Sequence, residues 1–232
     1  MNMKKIAIIP ARAGSKRVPH KNIKPFLGKP MMTYPITAAL ESGEFDEVMV
    51  STDSEEFAEI ARSYGAHVPF LRSAETANDY ATTGDVMVEV LNKYHDLGQD
   101  FDILCCMYPA AVFVTPENLH EAIEKLIKED ADCVSPVVQY GYPPQRAYRV
   151  KPDGTYEYIH PEYERTRTQD LEPIYHDVGQ YYIYNVKRFL NKELQTGKNL
   201  PVFMDEGMVQ DIDTPADFEM AEMKYRKYIL HQ

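Results

Sequence analysis

The chain has 232 residues, 44% hydrophobic and 26% charged, a balance ordinary for a soluble globular protein with one good core. Its formal net charge of -11 argues against general nucleic-acid or anionic-membrane binding, so neither partner is expected. No stretch reaches the length of a membrane-spanning helix, Pro10 interrupts the N-terminal apolar run, and the three cysteines lack metal-ligand spacing, so a cytoplasmic location is expected.

Ile6-Ala7-Ile8-Ile9 has the length and branching of a strand buried on both faces. A helix is expected from Pro30 to about Ser42, stopped by Gly43, followed by a strand over Phe45 to Val50. Ser54-Glu55-Glu56 opens a second helix through Tyr64, its early acids favourable to the helix dipole. His67 to Leu71 reads as a short third strand. This alternation implies a parallel sheet with right-handed crossovers. A polar loop from Arg72 then leads to a helix from about Gly84 to Leu97, capped by Thr82 or Thr83.

Ile103–Met107 is the next strand, and its adjacent Cys105 and Cys106 are expected to be buried thiols. The loop Tyr108–Phe113, a helix from Pro116 to about Glu129 and a strand over Cys133–Val138 follow. Residues 139–175 are rich in Pro, Tyr and Arg, and Lys151-Pro-Asp-Gly154-Thr reads as a hairpin turn. A strand over Tyr181–Tyr184, a helix over Val186–Leu194 and a final helix from Pro215 to about Leu230, capped by Thr214, complete the order. The expected class is α/β: a mostly parallel central sheet flanked by helices, built from residues 1–138 and 176–232. The 139–175 segment is expected to be an antiparallel excursion.

Charge is unevenly placed. Residues 1–40 hold eight Lys/Arg and no Asp/Glu, leaving 17 Lys/Arg against 36 Asp/Glu in the remainder. A positive loop directly after a buried strand suits a polyanionic small molecule such as a nucleoside triphosphate. The loop has neither the Gly-x-x-x-x-Gly-Lys-Ser/Thr phosphate motif nor the dinucleotide-binding glycine triplet. Gly14 offers a close backbone approach, and Arg12, Lys16 and Lys21 can neutralise phosphate charge. Far along the chain, Asp211 and Asp213 flank Ile212, so both carboxylates point to one side of an extended segment and suit Mg²⁺.

The run PARAGSKRVPHKNIKPFLGKPM resembles the N-terminal signature of the cytidylyltransferases that activate nonulosonic (sialic-type) sugars. The resemblance runs through nearly the whole chain. Arg165-Thr-Arg167-Thr-Gln169-Asp170 and His176-Asp177-Val178-Gly179-Gln180 are similar to its pseudaminic branch. The family implies a Rossmann-like nucleotidyltransferase fold, CTP and a nonulosonic acid as partners, Mg²⁺ at Asp211 and Asp213, and pyrophosphate as product. It also implies that 139–175 is a dimerisation element of a homodimer.

By that resemblance Lys21 contacts the α-phosphate and Arg12 the β and γ oxygens. Asp211 orients the attacking hydroxyl or takes its proton. Ala11, Gly14, Ser15 and Lys16 join them around the nucleotide, with Asn22, Arg72 and Thr83 around the cytosine. Tyr108, Arg165, Arg167, Gln180 and Tyr181 are expected at the sugar. Where the family has Gln-Pro-Thr-Ser-Pro, this chain has Tyr108-Pro109-Ala110-Ala111-Val112, which favours a less hydroxylated, di-N-acetylated sugar. The alternatives are N-acetylneuraminic or legionaminic acid as acceptor, or a non-catalytic nucleotide-binding protein.

Overall fold

The computed structural model describes residues 3–14, 20–191 and 197–232. The N-terminal strand β1 (Lys5–Pro10) sits inside the sheet, and Ile6, Ala7, Ile8 and Ile9 are all fully buried. The short pair β2 (Pro25–Phe26) and β3 (Lys29–Pro30) precedes α1 (Thr33–Ser42). Pro30 is therefore paired with Pro25, and the helix starts three residues later than the proline suggests. Next come β4 (Glu47–Ser51), α2 (Glu55–Ser63) capped by Ser54, α3 (Ala74–Ala77) and α4 (Thr83–Asp96). Thr82 and Asp85 form a reciprocal capping box at the start of α4.

The chain continues through β5 (Ile103–Met107), α5 (Pro116–Lys128) and β6 (Cys133–Gln139). The excursion carries β7 (Tyr148–Val150) and β8 (Tyr156–Tyr158). They join at the expected turn, where Lys151 donates its N–H to the Thr155 carbonyl and Gly154 takes φ +83°. Then follow β9 (Tyr175–Asp177), β10 (Tyr181–Asn185), α6 (Val186–Leu190), β11 (Asn199–Phe203) and α7 (Pro215–Tyr228), capped by Thr214.

The main sheet has the order β11-β6-β10-β5-β1-β4. β1 pairs in parallel with β4 and β5, and β11 with β6. β10 runs antiparallel between β5 and β6, and β9 pairs antiparallel with the far part of β6. Period-two burial divides the core into two faces. Ala7 and Ile9 join Ile36 of α1, Phe57 of α2 and Leu119 and Ile123 of α5 on one side. Ile6 and Ile8 join Val86, Val90 and Tyr94 of α4 on the other. A third cluster, with Phe26, Phe113, Ile212 and Phe218, seats α7.

Three expectations need correction. The third strand is a single parallel bridge between His67 and Met49, because Pro69 has no N–H to extend the ladder. β11 was not expected at all, and neither was α3. The expected helix to Leu194 is seen over Val186–Leu190, and its final residues lie outside the described ones.

Gly207, buried beside α7, has no room for a side chain, since a Cβ there would overlap the Tyr228 ring. Gly207→Ala should therefore cost about 1–3 kcal/mol as an overpacking substitution. Calorimetry should show a melting temperature lower by several degrees, at roughly 2–4 °C per kcal/mol for a chain this size.

Candidate active site

The carboxyl ends of β1 and β5 open onto a cleft of about 440 Å³. Ligands of open α/β sheets bind at this rim. Five separate segments meet there. Pro10 and Arg12 leave β1, Lys21 and Asn22 come from a single helical turn, and Tyr108, Pro109 and Ala110 leave β5. Gly179 and Gln180 arrive at β10, and Gln210 to Asp213 lead to α7. Because β10 is antiparallel, its beginning lies beside the end of β5, with Tyr181 opposite Met107.

Hydrogen bonds fix the basic loop. Ala11 donates its N–H to the Ser51 carbonyl at 2.9 Å, and Ala13 donates to Asp53 Oδ1 at 2.9 Å. Asn22, 6% exposed, donates from Nδ2 to the Arg12 carbonyl at 3.0 Å, while its own carbonyl accepts from the Met32 N–H. Lys21 Nζ donates to the Ile212 carbonyl at 2.7 Å and lies 3.5 Å from Asp213 Oδ1. Ile212 is 1% exposed in the cluster beneath α7, so its buried side chain anchors a segment whose two aspartates line the cleft. Arg12 Nη1 is paired with Asp79 Oδ1 at 2.8 Å and also meets the Asn78 carbonyl. The cleft therefore gathers two cations from the start of the chain and two carboxylates from near its end.

Other expected residues lie elsewhere. Arg72 is 8% exposed and commits Nε to Ser51 Oγ and Nη2 to the Ser51 carbonyl, bracing the end of β4. Burial pulls its guanidinium pKa down, although Asp53 and Glu89 nearby oppose the shift. Thr83 is the half-buried first residue of α4 and is not among the residues lining the cleft. Gly14 keeps φ outside the left-handed region, and a Cβ there would meet open space. Ser15 and Lys16 lie outside the described residues. Arg165 and Arg167 are exposed on the excursion, with Arg167 paired to Asp170 at 2.7 Å, and neither reaches this cleft.

Tyr181 must be corrected as a sugar contact. It is fully buried in the main core, and its hydroxyl donates to the Asn118 carbonyl at 3.4 Å. The next residue, Tyr182, faces the other way. Its ring meets Tyr108 edge to face at 5.6 Å, and its hydroxyl donates to Asp177 at 2.5 Å. Burial and that bond push the Tyr182 phenol far above its ordinary pKa. Sequence reasoning also missed Asp53 and Gln210. Asp53 was open to discovery, because it follows directly on the end of β4 at the ligand-binding rim.

Among the described residues no group of three or more His, Cys, Asp or Glu side chains is placed to hold a metal by itself. The pair Asp211 and Asp213 nevertheless fits Mg²⁺, which commonly takes one or two carboxylates and completes its shell with phosphates and water.

A family model described as cytidylyltransferase matches residues 6–195. The chain belongs to the cytidylyltransferase family. It is a CTP-dependent nucleotidyltransferase. Among its relatives is the pseudaminic acid cytidylyltransferase of Campylobacter jejuni, 37% identical over 225 residues and 97% of each chain. The CMP-N,N'-diacetyllegionaminic acid synthase of Legionella pneumophila is 34% identical, with 95% of each chain covered. In fold, this cytidylyltransferase is similar to a CMP:2-keto-3-deoxy-manno-octonic acid synthetase solved with CTP. That match has TM-score 0.71 and 19% identity, over 97% of this chain and all of the other.

The loop beside the cleft is secured from α4. Glu89 accepts from the Ser73 N–H and hydroxyl, from the Thr76 hydroxyl and from Lys93 Nζ. Burial opposes its charge, but these donors prevail and hold the carboxyl pKa at about 2. A depressed carboxyl stabilises the fold above its unfolded pKa, and that stability is lost as pH falls through the folded value. Glu89→Gln should therefore unfold at lower urea than the parent at pH 7. The difference between the two should shrink as pH falls from about 4.5 toward 2.

Proposed function

We propose that the protein activates pseudaminic acid with CTP, giving CMP-pseudaminic acid and pyrophosphate, with Mg²⁺ as cofactor, in the cytoplasm and as a homodimer. The observation that carries the reading is Lys21, bonded to the Ile212 carbonyl between two cleft aspartates. The relative at 37% identity supports pseudaminic acid as acceptor. The apolar Tyr108-Pro109-Ala110 wall supports a sugar richer in acetamido than in hydroxyl groups.

The anomeric hydroxyl of the 2-keto acid sugar attacks the α-phosphorus of CTP. A bond forms between that oxygen and phosphorus, and the bond from phosphorus to the oxygen bridging the β-phosphate breaks. Arg12 changes partner from Asp79 to the β and γ oxygens and so stabilises the pyrophosphate that departs. Lys21 is fixed at the segment's backbone and takes the α-phosphate from a defined position. Asp213 already lies 3.5 Å from Lys21 Nζ, which leaves Asp211 as the carboxylate that orients the hydroxyl or receives its proton. Held by Asp211 and Asp213, Mg²⁺ would supply further neutralisation of the triphosphate.

Pyrophosphate release with CTP and Mg²⁺ tests the reading, with pseudaminic, legionaminic and N-acetylneuraminic acids offered separately. Turnover is expected with pseudaminic acid, and turnover confined to either other sugar would reassign the acceptor. Asp211→Ala should lower kcat by about 10²-fold or more, the scale of losing a general base. A normal Mg²⁺-dependent rate in that variant would remove Asp211 from the mechanism. Lys21→Ala should lower kcat by roughly 10²–10³-fold, as does loss of one preorganised transition-state donor.

A further inference from the structure

Gln180 is the one cleft residue among those described whose buried side chain is only half satisfied. It is 2% exposed, and its Nε2 donates to the Met208 carbonyl at 3.0 Å. Its Oε1 is buried and has no hydrogen-bond partner. The Nε2 bond fixes the amide's orientation, because a carbonyl accepts only from the NH₂ end. A stationary, desolvated acceptor therefore belongs to a side chain that lines the cleft. Leaving such an atom unpaired is costly, and native proteins generally pair it with protein, water or ligand.

The surroundings restrict the partner. The Tyr108 N–H donates to Gln180's own backbone carbonyl at 2.8 Å, which keeps the Tyr108 ring, Pro109 and Ala110 alongside. An acceptor beside an apolar wall suits a group with one N–H donor and an adjoining methyl. An acetamido substituent has both. A hydroxyl could donate to Oε1 but would leave the wall uncovered, while a carboxylate or phosphate oxygen would face Oε1 unfavourably.

We propose that Gln180 is a specificity-determining residue of the acceptor site, its Oε1 accepting the N–H of an acetamido group while Tyr108, Pro109 and Ala110 receive the methyl. This rests on the proposed pseudaminic acid reading. It adds the atom that reads the sugar. A site built to hydrogen-bond a substrate group discriminates strongly against the analogue lacking it, because the buried protein atom is then left unpaired.

The test uses the full-length protein with CTP and Mg²⁺ and begins with pseudaminic acid. Failure of the parent to turn it over would sink the acceptor assignment before any variant is made. With turnover in hand, Gln180→Met is compared with the parent. The acceptor kcat/KM should fall by about tenfold or more, as for one lost buried hydrogen bond, while the KM for CTP stays within about twofold. Equal losses for both substrates would reduce Gln180 to a brace for the Met208 to Asp213 segment and overturn the proposal. A second arm needs no variant. Pseudaminic acid bearing O-acetyl in place of N-acetyl keeps carbonyl and methyl but loses the donor. The parent should use at least one such analogue about tenfold less well than the natural sugar. Equal use of every O-acetyl analogue would overturn the proposal even if Gln180→Met failed to fold.

Discussion

The bond from Lys21 Nζ to the Ile212 carbonyl closes this site. It links residues 191 positions apart and draws the basic loop after β1 against the acidic segment before α7. Neither side could hold that arrangement alone. The loop is pinned by Asn22 reaching back to the Arg12 carbonyl, and the acidic segment by Ile212 buried under α7. The lysine is satisfied by a neutral carbonyl and a carboxylate together, so its charge is positioned without being wholly cancelled. A polyanion entering the cleft would meet Lys21 already in a fixed geometry, which would spare the cost of ordering that long side chain on binding.

The same economy holds in the sheet. Placing β10 antiparallel between β5 and β6 brings a chain segment into the rim from the opposite direction, so residues preceding a strand join residues following one. Gln180 and Tyr108 meet for this reason, and the backbone bond between them ties the two segments. The third cluster, around Phe26 and Phe218, lets the short β2–β3 pair and α7 support the cleft from outside the main sheet.

Where the signal was local, the sequence carried it. The Ile6–Ile9 run, the threonine caps at 82 and 214 and the Gly154 turn each depend on a few adjacent residues, and each appears in the structure. Asp211 and Asp213 were legible together because alternate positions in an extended segment share a side. Tertiary pairing was harder to see. β11 contains Pro201 and an exposed Asn199, features poor for a central strand, and exists as an edge strand because β6 offers it a ladder. In Tyr181-Tyr182-Ile183-Tyr184, tyrosines fall on both faces, so composition could not say which one is core. Register against β5 settles it, burying Tyr181 and turning Tyr182 toward Tyr108. Arg72 was expected around the cytosine, and its burial against Ser51 depends on a tertiary contact that the local sequence does not reveal.

The excursion leaves β6 at Gln139 and returns through β9 at Tyr175, and those two residues are direct ladder partners. Departure and return are thus clamped side by side, as at the neck of a loop. The added length costs only slowly growing closure entropy. Over evolutionary time this is a place where the chain could be lengthened, shortened or exchanged without disturbing the register that holds the cleft. The outer surface can diversify while the chemistry beneath it stays fixed.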